Sequence, residues 1–311
     1  MRILFWGTPA FAVPSLRALL GEGHEVVGVV TRPDRPVGRG QKLTPPPVKV
    51  VAEEDGIAVL QPDRPVGEEF ERVVRALDPE LSVVVAYGQI LKREILDMPS
   101  GGSINVHASL LPELRGAAPI HWAIIRGHAE TGVTIMRMAE ELDAGPILYQ
   151  VREPIGPDEI ATELSLRLSE LGAEALVEAL ALIEGEAIDE VEQDHARATY
   201  APRLTPDDAR IDWTRDAAAL AARIRGLDDS PGAWTTLNGE RVNLYRPTVS
   251  SIERGEPGQI RRVDPGEEGG IVVSCGTAEL VIGEVKPAGK RRMSAAEWVR
   301  GAGPRVGDRF V

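Results

Sequence analysis

Apolar residues in the first two-thirds of the chain follow two alternating patterns. Short unbroken runs form one set: "RILFWG" (2–7), "HEVVGVVT" (24–31), "IAVLQP" (57–62), "LSVVVAYG" (81–88) and "SINVH" (103–107). Between them lie stretches with apolar positions three and four apart, at 10–23, 46–56 and 68–78. Runs that are apolar on both faces, separated by helices, predict a parallel sheet covered on both sides, a Rossmann-like α/β architecture. Such sheets collect ligands at the carboxyl ends of their strands. Further on, "AAPIHWAIIRG" (117–127) predicts a helix. "TGVTIMRMAEELDAGPILYQ" (131–150) predicts two strands joined by a short connection that carries Asp143. Residues 158–185 predict a long amphipathic helix, with Leu164, Leu168, Leu171 and Leu176 toward the core.

The pattern breaks at 190–209, where polar and Pro-punctuated composition reads as a linker. One helix follows at 215–226. After it come short strands split by glycine: "GAWTTLNG", "ERVNLYRPTVSSI", "GQIRRVD", "GGIVVSCG" and "AELVIGEVKPAG". Strands this short and regular suit a small OB-like barrel, a class often used for nucleic acids. The expected plan is an α/β domain over 1–189, a linker over 190–208 and a barrel over 209–311.

Composition narrows the class. Hydrophobic residues make up 43% and charged residues 27% of the 311, as in ordinary globular proteins. The apolar runs are too short to span a membrane. "MRILFWGTPAF" reads as a first strand rather than a signal peptide. A single cysteine, Cys275, excludes an internal disulfide and points to a reducing, cytoplasmic setting.

The net charge of −13 argues against a nucleic-acid partner until its distribution is considered. Residues 1–205 hold 19 Lys+Arg and 32 Asp+Glu, which accounts for all of it; residues 206–311 hold 16 of each. Two stretches are locally basic, "TRPDRPVGRGQKLTPPPVK" (31–49) and "KPAGKRR" (286–292). From charge alone each is either a solvated loop or a phosphate-binding surface.

The candidate chemistry sits at the end of "SINVH". Asn105 and His107 are two apart on a strand and so share a face. Two convergent donors suit a carbonyl oxygen that gains negative charge. Asp143, in the Gly-Pro bend of "ELDAGPIL", is a third candidate, able to orient an imidazole or accept a proton. No Ser or Cys nucleophile with an obvious base accompanies them, and no second histidine stands at metal spacing. His24, His128 and His195 fall before a strand or in polar loops, and His121 falls inside an apolar helix. "GTPAFA" (7–12) occupies the place of a dinucleotide fingerprint but carries Pro9 where the second glycine belongs, which argues against a nicotinamide enzyme.

"INVHASLLPELRGAAPI" resembles the formyltransferases that use 10-formyltetrahydrofolate. The resemblance extends through "GTPAFAVPSL", "RPDRPVGRGQKLTPPPVK", "AETGVTIMRM", "DARIDW" and "KPAGKRRMSA". These run the length of the chain and match the branch of the family acting on methionyl-initiator tRNA. The resemblance implies that Asn105, His107 and Asp143 are catalytic. It implies that Ser109, Leu110, Leu111 and Pro112, with Tyr87, Gly88, Gln89, Ile90 and Leu91, contact the folate donor. It further implies that the loop 31–49 wedges into the acceptor stem of the tRNA. Arg39 and Lys42 are candidates for contacts there, and Lys286, Lys290, Arg291 and Arg292 for a track along the barrel. No metal is implied, and a monomer is expected. The absent nucleophile is then the acceptor's own α-amino group, whose pKa near about 7.7–8.0 leaves a useful neutral fraction at pH 7. Departures are Ala108 where glycine is common, "DAGPIL" for "DTGDIL" and "LDDSPGAW" for "NPWPGAW". Two alternatives stay open: formylation of a small amine (glycinamide ribonucleotide or an aminosugar nucleotide), and a non-catalytic RNA-binding module.

Overall fold

The structure is a computed structural model that describes all residues except 39, 251–254, 267, 268 and 302. It divides into two compact units, Met1–Pro119 with Glu130–Pro154 and Ser165–Ala201, and Ile120–Ala129 with Ile155–Leu164 and Pro202–Val311.

The first unit is built on one sheet. Its strands are β1 (Arg2–Gly7), β2 (Glu25–Val30), β5 (Val59–Leu60), β6 (Leu81–Val85), β7 (Ser103–His107), β8 (Glu130–Arg137) and β9 (Ile147–Pro154), in the order β5-β2-β1-β6-β7-β8-β9. Pairing is parallel from β5 to β7. Ile3 to Trp6 and the whole of β6 are buried, as strands covered on both faces must be. The sheet is not parallel throughout: β7–β8 and β8–β9 are antiparallel. The short connection through Asp143 allows a return only of that kind, because a parallel crossover needs a dozen or more residues.

Helices α1 (Val13–Gly21), α2 (Pro47–Glu54), α3 (Glu68–Leu77), α4 (Arg93–Leu96), α5 (Pro119–Ile125) and α6 (Ala161–Glu184) intervene along the chain. On α6, Leu164, Leu168 and Leu176 are fully buried and Leu171 half-buried. The expected loop 31–49 contains a small separate hairpin, β3 (Arg35–Val37) with β4 (Lys42–Thr44).

In the second unit the antiparallel order is β10-β11-β14-β13-β12, with β15 also on β14. These are Trp234–Leu237, Glu240–Val249, Glu279–Pro287, Ile271–Ser274, Ile260–Val263 and Met293–Ser294. Helices α7 (Ala217–Gly226) and α8 (Ala295–Arg300) join them. Both helices start at a side-chain cap: Asp216 accepts from the Ala219 N–H and Ser294 from the Glu297 N–H. Leu220, Ile224, Leu244, Ile260, Ile271, Leu280, Ile282 and Trp298 belong to one buried core. Segments 120–129 and 155–164 attach to this unit through hydrogen bonds: the His121 ring to Gly226 O, Trp122 Nε1–H to Pro202 O, and the Thr162 hydroxyl to Asp228 O.

Candidate active site

The site begins in the register of β7. Asn105 lies between Val84 of β6 and Met136 of β8, and His107 lies opposite Thr134 of β8. Past His107 the chain folds back and is fastened by Thr134. The Thr134 hydroxyl donates to Ser109 O (2.6 Å), and accepts from Leu111 N–H (3.2 Å) and Gln150 Nε2–H (2.8 Å). That is one donor and two acceptor sites, the full capacity of a hydroxyl. Gln150 also donates to Leu111 O. Ser109 and Leu111 are themselves buried and Leu110 and Pro112 half-buried, so this stretch offers a ligand its edge and backbone more than its first and third side chains.

His107 is buried. Its Nε2 donates to Leu114 O at 3.1 Å; a carbonyl only accepts, so Nε2 carries the proton. Nδ1 then faces Asp143 Oδ2 at 3.7 Å, within ion-pair reach but longer than a hydrogen bond. Asp143 accepts from the Gly116 N–H at 2.8 Å. Both side chains are largely buried, at 6% and 12% exposure. The Asn105 amide is half-buried and makes no side-chain hydrogen bond among the described residues, leaving its N–H groups free for a ligand. The structure therefore brings His107 and Asp143 together, with Asn105 one pleat back on the strand.

The segment after β6 is tied to the end of β1, where the Thr8 hydroxyl donates to Tyr87 O. Tyr87 and Leu91 are buried in the core beside Leu4 and Trp6, and burial pushes the Tyr87 phenol up to about 12. Gly88 and Ile90 are exposed, Ile90 at 83%, and Gln89 donates to Asp63 O.

The basic candidates separate into kinds. Arg39 lies outside the described residues. Lys42 is exposed on β4, and Lys286 and Lys290 are exposed at and beyond the end of β14; none has an ion-pair partner among the described residues. Arg291 pairs with Glu297. Arg292 is committed inward, to Glu284 at 2.6 Å and to both oxygens of buried Asp228, over the face of Tyr245 at 3.9 Å. Burial raises the Asp228 carboxyl, with Arg292 opposing the shift. An arginine so engaged holds the 227–234 turn in place and has less of its guanidinium free for a phosphate than the unpaired Lys286 and Lys290 have of their amines.

Other participants were not visible from sequence. The hairpin's root is a cluster in which Asp34 accepts from Gln61 (2.7 Å) and Lys49 (2.9 Å). The Gln61 hydrogen bond and Lys49 together hold Asp34 below the usual carboxylate range. Arg115, buried at 1% exposure, donates to Gln193 and to His195 Nδ1. Gln193 and His195 lie in the segment read as linker, whose only sequence signal is polarity. That segment forms a bridge from Val191 to Ile147 and another from Tyr200 to Arg115. Among the described residues, no group of three His, Cys, Asp or Glu side chains is placed to hold a metal ion, and no helix is long and apolar enough to cross a membrane.

Residues 1–180 match the formyl transferase family and residues 203–303 match the C-terminal domain of formyl transferases. A methionyl-tRNA formyltransferase of Geobacter sulfurreducens is 48% identical over 99% of this chain and 97% of its own. That of Moorella thermoacetica is 48% identical over 97% and 96%. The chain belongs to the methionyl-tRNA formyltransferase family. At the level of fold alone, it resembles an N-formyltransferase from Helicobacter canadensis crystallised with folinic acid and dTDP-3-aminofucose. There the TM-score is 0.68 and the identity 18%, over 94% of this chain and all of the other.

Proposed function

We propose that this chain transfers the formyl group of 10-formyltetrahydrofolate to the α-amino group of methionyl-initiator tRNA, as a cytoplasmic monomer. The observation that carries the reading is the buried His107 facing Asp143, with half-buried Asn105 on the same strand and no protein nucleophile, in a chain nearly half identical to named methionyl-tRNA formyltransferases over almost all of both lengths. The folate supplies the activated formyl carbon. Ile90, whose apolar surface is exposed beside the side-chain-free backbone of Gly88, and the edge of 109–112 are assigned to the folate.

The chain's own groups divide the work. The unpartnered Asn105 N–H, and His107 Nδ1 when the ring is protonated beside Asp143, stabilise charge on the formyl oxygen when the amine attacks the carbon. Nε2 is already spent on Leu114 O, so the ring is oriented before any ligand arrives. The new C–N bond forms to the amine and the bond to N10 breaks. The amine's proton passes to Asp143, 3.7 Å from His107 Nδ1, and goes on to N10 as the bond from N10 to the formyl carbon breaks. Lys42 on the hairpin and Lys286 and Lys290 on the barrel supply phosphate contacts. Lys286 lies beside Asn243, which lies beside Trp234 on the same face of the sheet. Trp234 carries Arg241 at 4.8 Å and Arg210 at 5.6 Å, a cationic aromatic surface suited to RNA.

Supplying 10-formyltetrahydrofolate with methionyl-initiator tRNA, glycinamide ribonucleotide or an aminosugar nucleotide tests the reading. Formylation of the tRNA alone is expected. Transfer to a small acceptor only would replace the proposal, and tRNA binding without any transfer would leave an RNA-binding module.

A further inference from the structure

We propose that Gln193 and Arg115 are positioning residues that set the Asp143 carboxylate, so that the segment expected as a linker belongs to the catalytic apparatus. This rests on the reading of Asp143 as catalytic. Asp143 has a φ of +51°, a left-handed conformation that a non-glycine residue keeps only when its surroundings impose it. The imposition is visible. Gln193 Nε2 donates to Asp143 O (2.9 Å) and to Gly145 O (2.7 Å). Gln193 Oε1 accepts from Arg115 Nε (3.1 Å) and Nη2 (2.7 Å). Both donors and both acceptor sites of the amide are used, on a side chain that is 5% exposed. A glutamate of the same shape has no N–H to offer the two carbonyls. Gly145 admits no side chain, since a Cβ there would meet Arg137 O.

The same stretch holds the carboxylate and the imidazole. Leu114 O takes the His107 Nε2–H, Arg115 grips Gln193, and the Gly116 N–H holds Asp143 Oδ2. Residues 199–201 brace those three in turn. Thr199 accepts from Leu114 N–H through its hydroxyl and from Arg115 N–H through its carbonyl, and Ala201 N–H donates to Arg115 O. A Cβ on Gly116, whose φ is +117°, would lie 2.8 Å from Ala201 O. The buried Arg115 charge is met by Gln193, His195 Nδ1 (3.0 Å) and Glu141 (3.7 Å). Its position and partners are those of a brace: it reaches Asp143 through Gln193.

The test is a double-mutant cycle in the full chain with Gln193→Glu and Asp143→Asn. Gln193→Glu should lower kcat by about 10–100-fold, as a misplaced reacting group does. The KM for tRNA and the KM for folate should stay near parental values, while the urea midpoint falls because two buried carbonyls lose their donor. With Asn already at 143, Gln193→Glu should add less than about threefold, because residues acting as a unit are not additive. Multiplicative losses in the double variant, or a parental kcat for Gln193→Glu beside an impaired Asp143→Asn, overturn this proposal alone. A parental kcat for Asp143→Asn overturns the catalytic reading and the proposal with it. If Gln193→Glu does not fold, Arg115→Lys keeps the charge but loses the two-pronged grip, and the same cycle is run with it.

Discussion

The site around His107 and the basic surfaces at 31–49 and 286–292 handle charge in opposite ways. At the site, polar groups are largely buried and fixed by hydrogen bonds to backbone: His107 on Leu114 O, Asp143 on Gly116 N–H, Thr134 with its hydroxyl saturated. On the basic surfaces, Lys42, Lys286 and Lys290 stand in solvent with no ion-pair partner among the described residues. Chemistry needs donors oriented in advance, because reorganising them during the reaction costs rate. Recognition of a phosphate backbone needs charges that can exchange counterions for phosphate, where long-range attraction matters more than fixed geometry. Arg292 shows that composition alone does not sort residues between the two classes: it sits in the most basic stretch of the chain and is bound inward.

The strongest way to break this comparison is at the site around His107. Asn105→Ala, His107→Ala and Asp143→Ala should each lower single-turnover formyl transfer by about 10²–10³-fold, with tRNA affinity unchanged in filter binding. A variant that loses affinity and keeps its rate would move that residue to the surface class. The surfaces should behave in the converse way. tRNA binding should weaken as salt rises, and Lys42→Ala, Lys286→Ala or Lys290→Ala should each reduce the log–log slope by about 0.7–0.9 while kcat at saturating tRNA is retained. A salt-independent affinity would remove the surface class altogether.

Arg292→Ala sharpens the boundary between the classes. Removing it leaves Asp228 buried without its partner. One-third exposure of the arginine side chain brings the cost below that of a fully buried pair, to roughly 2–3 kcal/mol in urea unfolding. Asp228→Asn in that background should restore part of it. A normal stability with a lost tRNA contact would return Arg292 to the phosphate-binding set. The smallest effect is expected at Cys275. Burial pushes its thiol up to about 12, so iodoacetamide at pH 8 should label it only after unfolding. Rapid labelling of the folded chain would show that the barrel interior opens.

Much of the fold was legible because the patterns are strong. Unbroken apolar strands announce a sheet covered on both faces, and each barrel strand was bounded by glycine and polar turn residues. What escaped was the sense of the last pairings, since an apolar run does not say whether its neighbour is parallel. Asn105 and His107 could be placed together because a strand has a period of two. Asp143 could be nominated from its turn, but its distance from His107 depends on β8 returning antiparallel to β7. The separation of Arg292 from Lys290 had no local signal at all: the two are two residues apart, and only burial of Asp228 distinguishes them.

By itself the sequence determined the residue types, the face that Asn105 and His107 share, the alternation of strands and helices, and the resemblance that suggested the acceptor. The tertiary structure decided what those residues can do. It turned the His107 ring by giving Nε2 to Leu114, brought Asp143 to 3.7 Å from Nδ1, and made a polar stretch at 191–201 into a brace through Gln193 and Thr199. The reason is physical. Periodicity is a property of neighbours along the chain. A buried hydrogen bond between residues 143 and 193, or 115 and 193, exists only once the fold has excluded water and left each donor one partner to choose.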